Sequence, residues 1–250
     1  MSFGVVEGEP DAGPQGLTVA AIDGHPFGPL RFTGARWALA DVRLLSPILP
    51  SKVVCVGRNY VEHAAEHGAP VPAEPLLFLK PSTAIIGPHD TIRLPPQSAQ
   101  VEHEAELAVV ISRLCSEVPI KRVPEVILGY TCANDVTARD LQRLDGQWTR
   151  GKGFDTFCPL GPWIETDLDT SDLAISCRVN GELRQDARTS DLERGVEELV
   201  AWISNVMTLL PGDVILTGTP AGVGPLVDGD AVSVSISSIG TLTNRVTLRD

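Results

Sequence analysis

The 250-residue sequence lacks three features that would assign it to a membrane, nucleic-acid-binding or secreted class. No apolar run approaches the length that crosses a bilayer. No block of lysine and arginine is present and the formal net charge is −12, whereas nucleic-acid phosphates are bound by clustered basic residues. The N-terminus has no basic stretch followed by an apolar one, which argues against a signal peptide. We therefore expect a cytoplasmic protein that binds neither membrane nor nucleic acid.

Common motifs of metal binding by thiols and of hydrolysis are also missing. The five cysteines are scattered and show no C-x-x-C spacing, which favours reduced core thiols over disulfides or zinc. There is no G-x-S-x-G or H-E-x-x-H pattern. The glycine-rich stretch 216–224 has neither the Walker lysine nor the Rossmann glycine spacing, so nucleotide binding is not supported. The chemistry must rest on other residues.

The chain divides by composition into a small N-terminal segment, residues 1–48, and a larger domain, residues 49–250. The first has glycine- and proline-rich turns around short strand-like runs. In the second, strands dominate and do not alternate regularly with helices, which disfavours Rossmann and TIM arrangements and predicts a mainly β, mixed α+β fold. The elements that bear on the site are strands at 52–57, 83–86, 101–112 and 126–133, and helices at 59–67, 135–144 and 192–210.

Three glutamates stand on alternate residues at the start of the strong strand predicted at 101–112. Residues two apart in a strand point to one face, so Glu102, Glu104 and Glu106 form an acidic row. Carboxylates in an apolar strand need a neutralising cation, and a hard divalent ion takes carboxylate oxygens readily. Neighbouring members of the row are close enough to share one ion. The spacing leaves open whether the pair is 102/104 or 104/106.

A third oxygen ligand and a balancing charge can come from two later segments. Asp135 follows an apolar strand and is a candidate ligand, although its position suits the capping of the helix predicted at 135–144 equally well. Lys152 lies between two glycines, whose backbone freedom could place it near an ion. Three carboxylates and one divalent cation leave one negative charge, which Lys152 would neutralise. A solvated loop lysine is the common alternative.

The helix predicted at 59–67 carries a possible acid–base pair. His63 and Glu66 are three residues apart and share a helix face, so the carboxylate can orient the imidazole for general base catalysis. A surface contact is the more frequent explanation of such a pair taken alone. His67 is a weaker candidate, because it adjoins Gly68, where the helix is expected to end.

Taken together, these residues resemble the fumarylacetoacetate hydrolase family. The resemblance covers roughly residues 50–250, and its motifs occur in the family's order. They are C-V-G-R-N-Y at 55–60, F-L-K-P-S-T at 78–83, H-E-A-E-L at 103–107, N-D-V-T-A-R-D at 134–140, G-K-G-F-D at 151–155 and T-G-T-P at 217–220.

The resemblance implies a role for individual residues. The family's metal ligands fall on Glu104, Glu106 and Asp135, the metal being usually Mg²⁺ or Mn²⁺. Glu102 is left either behind the ligands, as a residue that supports them, or at the rim of the site. The family's active-site lysine falls on Lys152. A catalytic dyad falls on His63 and Glu66, on a short helix that orders as a lid over substrate. Positions expected to contact substrate are Arg58, Tyr60, Lys80, Ser82, Arg139, Gln142 and Thr219.

The resemblance further implies a mixed β-sheet roll, a homodimer, and chemistry on small 2-oxo or 2,4-dioxo acids. The first expectation is acylpyruvate-type hydrolysis or oxaloacetate-type decarboxylation through an enolate of pyruvate type. A second is a 2-hydroxyhepta-2,4-diene-1,7-dioate isomerase or the related decarboxylase of aromatic catabolism. A third, from another class, is a catalytically silent metal- or ligand-binding protein. The motifs do not distinguish hydrolysis, decarboxylation and tautomerisation, because all three share the enolate.

Overall fold

The computed structural model describes residues 2–8, 16–66 and 68–249, and His67 lies outside them. The chain divides into two compact units, Met1–Leu44 and Leu45–Asp250. In the first, a run predicted as strand-like forms the middle of a three-stranded antiparallel sheet. Its strands are β1 (Gly4–Glu7), β2 (Thr18–Ile22) and β3 (Phe32–Ala38).

The second unit consists mainly of strands with four short helices among its described residues. The strands are β4 (Val53–Gly57), β5 (Leu76–Lys80), β6 (Ile85–Ile86), β7 (Thr91–Leu94), β8 (Val101–His103), β9 (Ala105–Ile111), β10 (Ile127–Asn134), β11 (Thr137–Ala138), β12 (Cys158–Glu165), β13 (Ala174–Val179), β14 (Glu182–Arg188), β15 (Val214–Leu216), β16 (Gly224–Pro225), β17 (Ala231–Ile236) and β18 (Gly240–Leu248). The helices are α1 (Val61–Glu66), α2 (Arg139–Asp145), α3 (Thr149–Lys152) and α4 (Val196–Val206).

Two large sheets of this unit share one hydrophobic core. A seven-stranded mixed sheet has the order β5-β4-β15-β9-β10-β12-β6, and a five-stranded sheet has the order β14-β13-β17-β18-β7. Strands β9, β10 and β12 of the first pack against β13, β17 and β18 of the second. A short third sheet, β11-β8-β16, adjoins the start of β9. The prediction of a mainly β, mixed fold is confirmed. In the part of the chain that the structure describes, no helix is long and apolar enough to cross a membrane.

Strand β9 runs through the middle of the seven-stranded sheet, and all seven of its residues are buried. Burial of each large aliphatic side chain contributes about 1.5–3 kcal/mol. The predicted continuous strand at 101–112 is wrong in one respect, because the chain leaves strand geometry at Glu104 and divides into β8 and β9. Glu102 therefore belongs to another sheet, where it pairs with Thr137.

Three other elements differ from the sequence prediction. The helix expected at 135–144 begins only at Arg139, and Asp135 does not cap it. The helix expected at 192–210 is confined to Val196–Val206. Of the strand expected at 83–86, only Ile85–Ile86 is extended, because Ser82–Ala84 form a 3₁₀ turn after Pro81.

Asp213 joins the parallel pair β4 and β15 at their N-terminal ends. Its buried carboxylate accepts hydrogen bonds from Ser51 Oγ (2.6 Å), the Lys52 backbone N–H (3.2 Å) and the Leu210 N–H (2.8 Å), and it forms an ion pair with the Lys52 amine. Burial alone would raise the pKa of Asp213, but the bonds from Lys52, Ser51 and Leu210 lower it below the ordinary value of 3.8. The ionised form is thus favoured by folding.

We expect Asp213→Asn to lower the free energy of unfolding by about 2–3 kcal/mol near neutral pH, because a buried ion pair is broken. Since folding lowers this pKa, the stabilisation is present above the ordinary aspartate value and is lost as the pH falls below it. Urea unfolding between pH 7 and pH 2 measures both effects. Asp172→Asn is the control, because Asp172 pairs with Arg188 but its side chain is 56% exposed. An equal loss in the two variants would contradict the assigned role.

Candidate active site

The interruption of the strand at Glu104 brings two predicted ligands, Glu104 and Asp135, together. Asn134 Oδ1 accepts a hydrogen bond from the Glu104 N–H (2.9 Å), and the Asp135 N–H donates to the Glu104 carbonyl (2.8 Å). Glu106 lies on β9 opposite Ala133 of β10, so the end of β10 delivers Asp135 beside both glutamates. The side-chain amide of Asn134 thus replaces a strand partner at the point where β8 and β9 separate.

Glu104, Glu106 and Asp135 form a buried cluster whose carboxylate oxygens, one from each residue, lie within 4.8 Å of one another. Hard oxygen donors at this separation suit Mg²⁺ or Mn²⁺. Glu106 shows the need for a cation most clearly. Burial, and then the neighbouring Asp135 and Glu104, raise the pKa of Glu106 well above its ordinary value. The donor set therefore fits a divalent ion.

Two lysines hold Asp135 from both sides. The Lys152 amine donates to Asp135 Oδ2 and to Glu104 Oε2, each at 2.7 Å. The Lys80 amine donates to Asp135 Oδ1 (2.6 Å) and to the Val136 carbonyl (3.0 Å). Both lysines are buried, but Lys80 bonds one carboxylate and a backbone carbonyl, so its contacts favour the positioning of Asp135 over a direct contact with substrate. Each carboxylate oxygen keeps a second lone pair for another cation.

Arg139 neutralises the remaining glutamate of the acidic row. Its Nε donates to Glu102 Oε2 (2.7 Å), its Nη2 pairs with Glu104, and its Nη1 donates to Gln142 Oε1 (2.7 Å). Gln142 and Arg139 lie on the first turn of α2 and are both buried. Of the two positions predicted for Glu102, the structure favours the one behind the ligands, because Glu102 is buried and its partner Arg139 also binds Glu104.

The charges of this cluster leave a small imbalance. Four carboxylates lie among three cations, so a net charge of −1 remains, and a bound divalent ion would make the net charge +1. The carboxylates are those of Glu102, Glu104, Glu106 and Asp135, and the cations are Lys80, Arg139 and Lys152. Burial alone would raise the pKa of Glu104, but Lys152, Arg139 and then His63 lower it below its ordinary range. Burial would lower the pKa of Lys152, but Asp135 and Glu104 raise it. The cluster suits an anionic ligand once a divalent ion is present.

The two glycines beside Lys152 serve close packing rather than backbone freedom. Lys152 ends the short helix α3, and neither Gly151 nor Gly153 has a positive φ. A Cβ atom on Gly151 would lie 2.9 Å from the Gln142 backbone nitrogen, and one on Gly153 would lie 2.5 Å from the Thr149 carbonyl oxygen. The backbone freedom from which the position of Lys152 was predicted is therefore wrong as an explanation, because both glycines are required by close packing.

The turn after β15 closes the other side of the cluster. The Gly218 N–H donates to Glu106 Oε2 at 2.6 Å. Gly218 has φ +106°, and a Cβ atom there would lie 2.8 Å from Asn59 Cβ, so only glycine fits. Asn59 fixes this contact, since its amide donates to the carbonyls of Thr217 (2.8 Å) and Arg194 (3.0 Å). Asn59 thus holds the segment that leads into α1 against the turn.

Helix α1 carries the predicted acid–base pair. His63 Nδ1 lies 3.4 Å from Glu66 Oε2, and His63 is buried while the Glu66 side chain is one-third exposed. Glu66 also accepts a hydrogen bond from the Gly222 N–H (3.2 Å), which attaches the helix to the turn after Gly218. His63 lies close enough to Glu104 to contribute to the lowering of its pKa.

An aromatic wall extends from Lys152 to the start of α1. The Lys152 amine lies 4.8 Å from the ring centroid of Phe78, whose ring meets Trp148 edge-on at 5.2 Å. The Arg58 guanidinium lies 5.9 Å from the Trp148 ring. Arg58 is half-buried and has φ +59°, a strained conformation for a residue with a side chain. Phe78 begins the F-L-K-P-S-T motif and Trp148 lies outside the quoted motifs, but neither was predicted as a site residue, because aromatic residues at these positions resemble ordinary core residues.

The remaining predicted contact residues lie in three different settings. Tyr60 is buried, and burial together with Glu106 and Asp191 raises the pKa of its hydroxyl. The Thr219 hydroxyl donates to the Ala105 carbonyl (2.8 Å) and accepts from Gln185 Nε2 (2.8 Å), so its hydrogen is already used within the protein. Ser82 is exposed in the 3₁₀ turn after Pro81.

Comparison with known families gives two matches that together span nearly the whole chain. Residues 52–247 match the fumarylacetoacetate (FAA) hydrolase C-terminal family. Residues 1–47 match a family described as Rv2993c-like, N-terminal.

Individual relatives are similar over most of their length. Protein Rv2993c from Mycobacterium tuberculosis is 57% identical over 98% of this chain and 94% of its own. The structure of a 5-carboxymethyl-2-hydroxymuconate delta-isomerase from Mycobacterium smegmatis has a TM-score of 0.92, is 57% identical and covers 99% of this chain and 95% of its own. A mitochondrial oxaloacetate tautomerase, FAHD2B, from Bos taurus is 46% identical over 83% of this chain and 70% of its own. A fumarylpyruvate hydrolase from Pseudomonas aeruginosa, in complex with Mn²⁺ and pyruvate, has a TM-score of 0.74 and 35% identity, and it covers 79% of this chain and 90% of its own.

Proposed function

Because the chain belongs to the fumarylacetoacetate hydrolase family of enzymes, we propose that it is a Mg²⁺-dependent enzyme acting on small 2-oxo or 2,4-dioxo acids. The observation that carries the proposal is a buried three-carboxylate cluster joined by one turn to a His–Glu pair, since Gly218 binds Glu106 and Gly222 binds Glu66. Fold similarity alone does not assign a reaction, but the placement of these groups supports one. The Mn²⁺ and pyruvate in the Pseudomonas hydrolase support both the ion class and the 2-oxo acid.

Glu104, Glu106 and Asp135 would hold the ion, which when bound supplies Lewis-acid polarisation of a substrate carbonyl oxygen. Lys152 lies directly beside this position, and its raised pKa keeps it charged at neutral pH. It therefore stabilises negative charge that develops on the substrate oxygen as the enolate forms. Lys80 and Arg139 keep the carboxylates of Asp135 and Glu104 in place by ion pairs.

The His63–Glu66 pair supplies proton transfer. For hydrolysis of an acylpyruvate, His63 takes a proton from water as the water oxygen bonds to the C4 carbonyl carbon. The C3–C4 bond then breaks, its electrons pass into the pyruvate enolate, and a proton returned to C3 gives pyruvate and the free acid. For oxaloacetate, loss of CO₂ leaves the same enolate without attack by water. The presence of a positioned base favours hydrolysis or tautomerisation over simple decarboxylation.

A substrate panel tests the proposal. We expect purified protein with Mg²⁺ to convert at least one of acetylpyruvate, fumarylpyruvate and oxaloacetate, with products identified by NMR. Turnover should stop after removal of divalent ions by a chelator and return with added Mg²⁺ or Mn²⁺, because three close carboxylates without an ion repel an anionic substrate. Activity that persists in the chelator would contradict the role of the cluster.

A second candidate is isomerisation of a dienedioate, favoured by the 57% identity to the Mycobacterium smegmatis isomerase. The same cluster and base would serve, since isomerisation moves a proton through an enolate but breaks no C–C bond. Supplying 5-carboxymethyl-2-hydroxymuconate distinguishes the two, as an isomer of unchanged mass supports isomerisation. Turnover of this compound but of none of the three panel substrates would replace the first proposal by the second.

A further inference from the structure

Gln185 is a buried amide on a strand that is otherwise exposed or half-buried. In β14, which the structure describes throughout, it is the one fully buried residue. Its side chain makes four hydrogen bonds. Oε1 accepts from the Ala105 N–H (3.0 Å) and contacts His103 Nδ1 (3.1 Å), and Nε2 donates to Thr219 Oγ1 and the Pro220 carbonyl, both at 2.8 Å. These bonds use the full capacity of Nε2 and both lone pairs of Oε1.

The partners of this amide belong to the two segments that border the carboxylate cluster. Ala105 and His103 flank Glu104, where β8 and β9 separate. Thr219 and Pro220 follow Gly218, whose N–H binds Glu106. A single side chain therefore spans the gap between the strand that carries the glutamates and the turn that covers them.

The neighbouring residue of β14 supports the rest of this turn. Gly222 has φ +94°, and a Cβ atom there would lie 2.1 Å from the Arg184 carbonyl oxygen, so its backbone rests directly on β14. The Gly222 N–H in turn binds Glu66 of α1. Arg184 and Gln185 are consecutive, and together they contact the turn at residues 219, 220 and 222.

We propose that Gln185 is a positioning residue that sets the separation between the carboxylate cluster and the His63–Glu66 pair. Its effect acts through the 217–224 turn, because the turn contacts Glu106 at Gly218 and Glu66 at Gly222. It touches neither Glu106 nor Glu66 itself. The consequence for turnover rests on the proposed function, whereas the mechanical coupling does not.

Hydrogen–deuterium exchange on the metal-free protein tests the mechanical part. We expect Gln185→Met, which keeps the length of the side chain but removes every hydrogen bond, to raise exchange in segments 217–224 and 61–66 by at least about tenfold. Asn244→Leu is the matched control. Asn244 is another buried amide of the same sheet, and it donates to the carbonyls of Gly87 and Asp90, outside the site. The proposal would be overturned if segments 217–224 and 61–66 exchanged no faster in Gln185→Met than in Asn244→Leu.

If Gln185→Met fails to fold, Thr219→Val is a milder substitution that weakens the same set of contacts. It keeps the side-chain volume and removes the hydroxyl that accepts from the Gln185 amide and donates to the Ala105 carbonyl, so both bonds of Thr219 between the turn and its neighbours are lost. We expect faster exchange in 217–224 with little change at 175–179, in the neighbouring strand β13. Unchanged exchange in 217–224 would contradict the coupling.

A double-mutant cycle with Glu66→Ala tests the catalytic consequence. If Gln185 acts by placing the turn that holds Glu66, Gln185→Met should lower kcat about 10- to 100-fold in the parent but less than about threefold once Glu66 is absent. The Asn244→Leu change should have the same small effect in both backgrounds. Additive losses for Gln185→Met would overturn the positioning role. Absence of any turnover by the parent protein would instead contradict the proposed function, and the exchange experiment would still decide the coupling.

Discussion

Replacing Glu106 with glutamine is expected to weaken Mg²⁺ binding by more than about 100-fold, beyond the 10- to 100-fold typical of losing a group that only supports a ligand. The amide keeps the volume of the side chain and can still accept the Gly218 N–H, so the change removes little except charge. Glu106 is the member of the cluster with a strongly raised pKa, caused by burial and by Asp135 and Glu104. It is therefore the carboxylate that most needs a cation.

The metal-free Glu106→Gln variant should be at least as stable as the parent, because burial and the neighbouring carboxylates disfavour the charged form of Glu106 and the amide carries no charge. Thermal unfolding without metal checks this, and calorimetry with Mg²⁺ checks binding. Glu102→Gln is the matched control from the same acidic row. Glu102 acts two contacts away, through Arg139 and Glu104, and its loss should weaken Mg²⁺ binding by about tenfold or less. An equal loss of Mg²⁺ affinity in the two variants would contradict the assignment of Glu106 as a ligand and of Glu102 as a residue that only supports the ligands.

The second large effect concerns His63. We expect His63→Gln to lower kcat for an acylpyruvate by about 10²- to 10⁴-fold, the usual contribution of a positioned general base. Binding of oxalate with Mg²⁺ should change by only a few-fold, since the carboxylate cluster is untouched. Steady-state kinetics and calorimetry on the same preparation separate the two quantities.

Glu62→Gln provides the control on the same helix, because Glu62 is exposed and faces away from the buried His63. It should retain full activity. Hydrolysis that is unaffected by His63→Gln would remove the base from the mechanism. A variant that loses hydrolysis but retains oxaloacetate decarboxylation would agree with the role of His63 as the base, because loss of CO₂ needs no attack by water.

The acidic row illustrates how far alternation in sequence can lead. The spacing indicated a cationic requirement at residues 102–106, and the structure places Glu104, Glu106 and Asp135 within 4.8 Å of one another. The single-strand geometry behind the argument is wrong, because the Glu104 backbone is bound by Asn134 and Asp135 instead of a strand partner. Glu102 thereby turns to Arg139, 37 residues away in sequence, which no periodicity reveals.

Tertiary contacts also decided the roles of the lysines and of Asp135. Spacing left Asp135 equally suited to capping a helix, and the helix instead begins at Arg139, so the carboxylate is available to Lys80 and Lys152. Gln185 lies in a mostly polar strand and carries no sequence signal. Its importance arises only when β14 packs beside the 217–224 turn, because a buried amide must satisfy its hydrogen-bonding groups from whatever segments surround it.

Calorimetric titration of oxalate, a mimic of the pyruvate enolate, tests the central claim most directly. We predict that oxalate binds in the presence of Mg²⁺ and that binding disappears when a chelator removes the ion. The metal-free cluster has no ion for oxalate to chelate, and it holds one carboxylate more than its three cations. Oxalate that binds with the same affinity with and without the chelator would contradict the assignment of Glu104, Glu106 and Asp135 as a metal site.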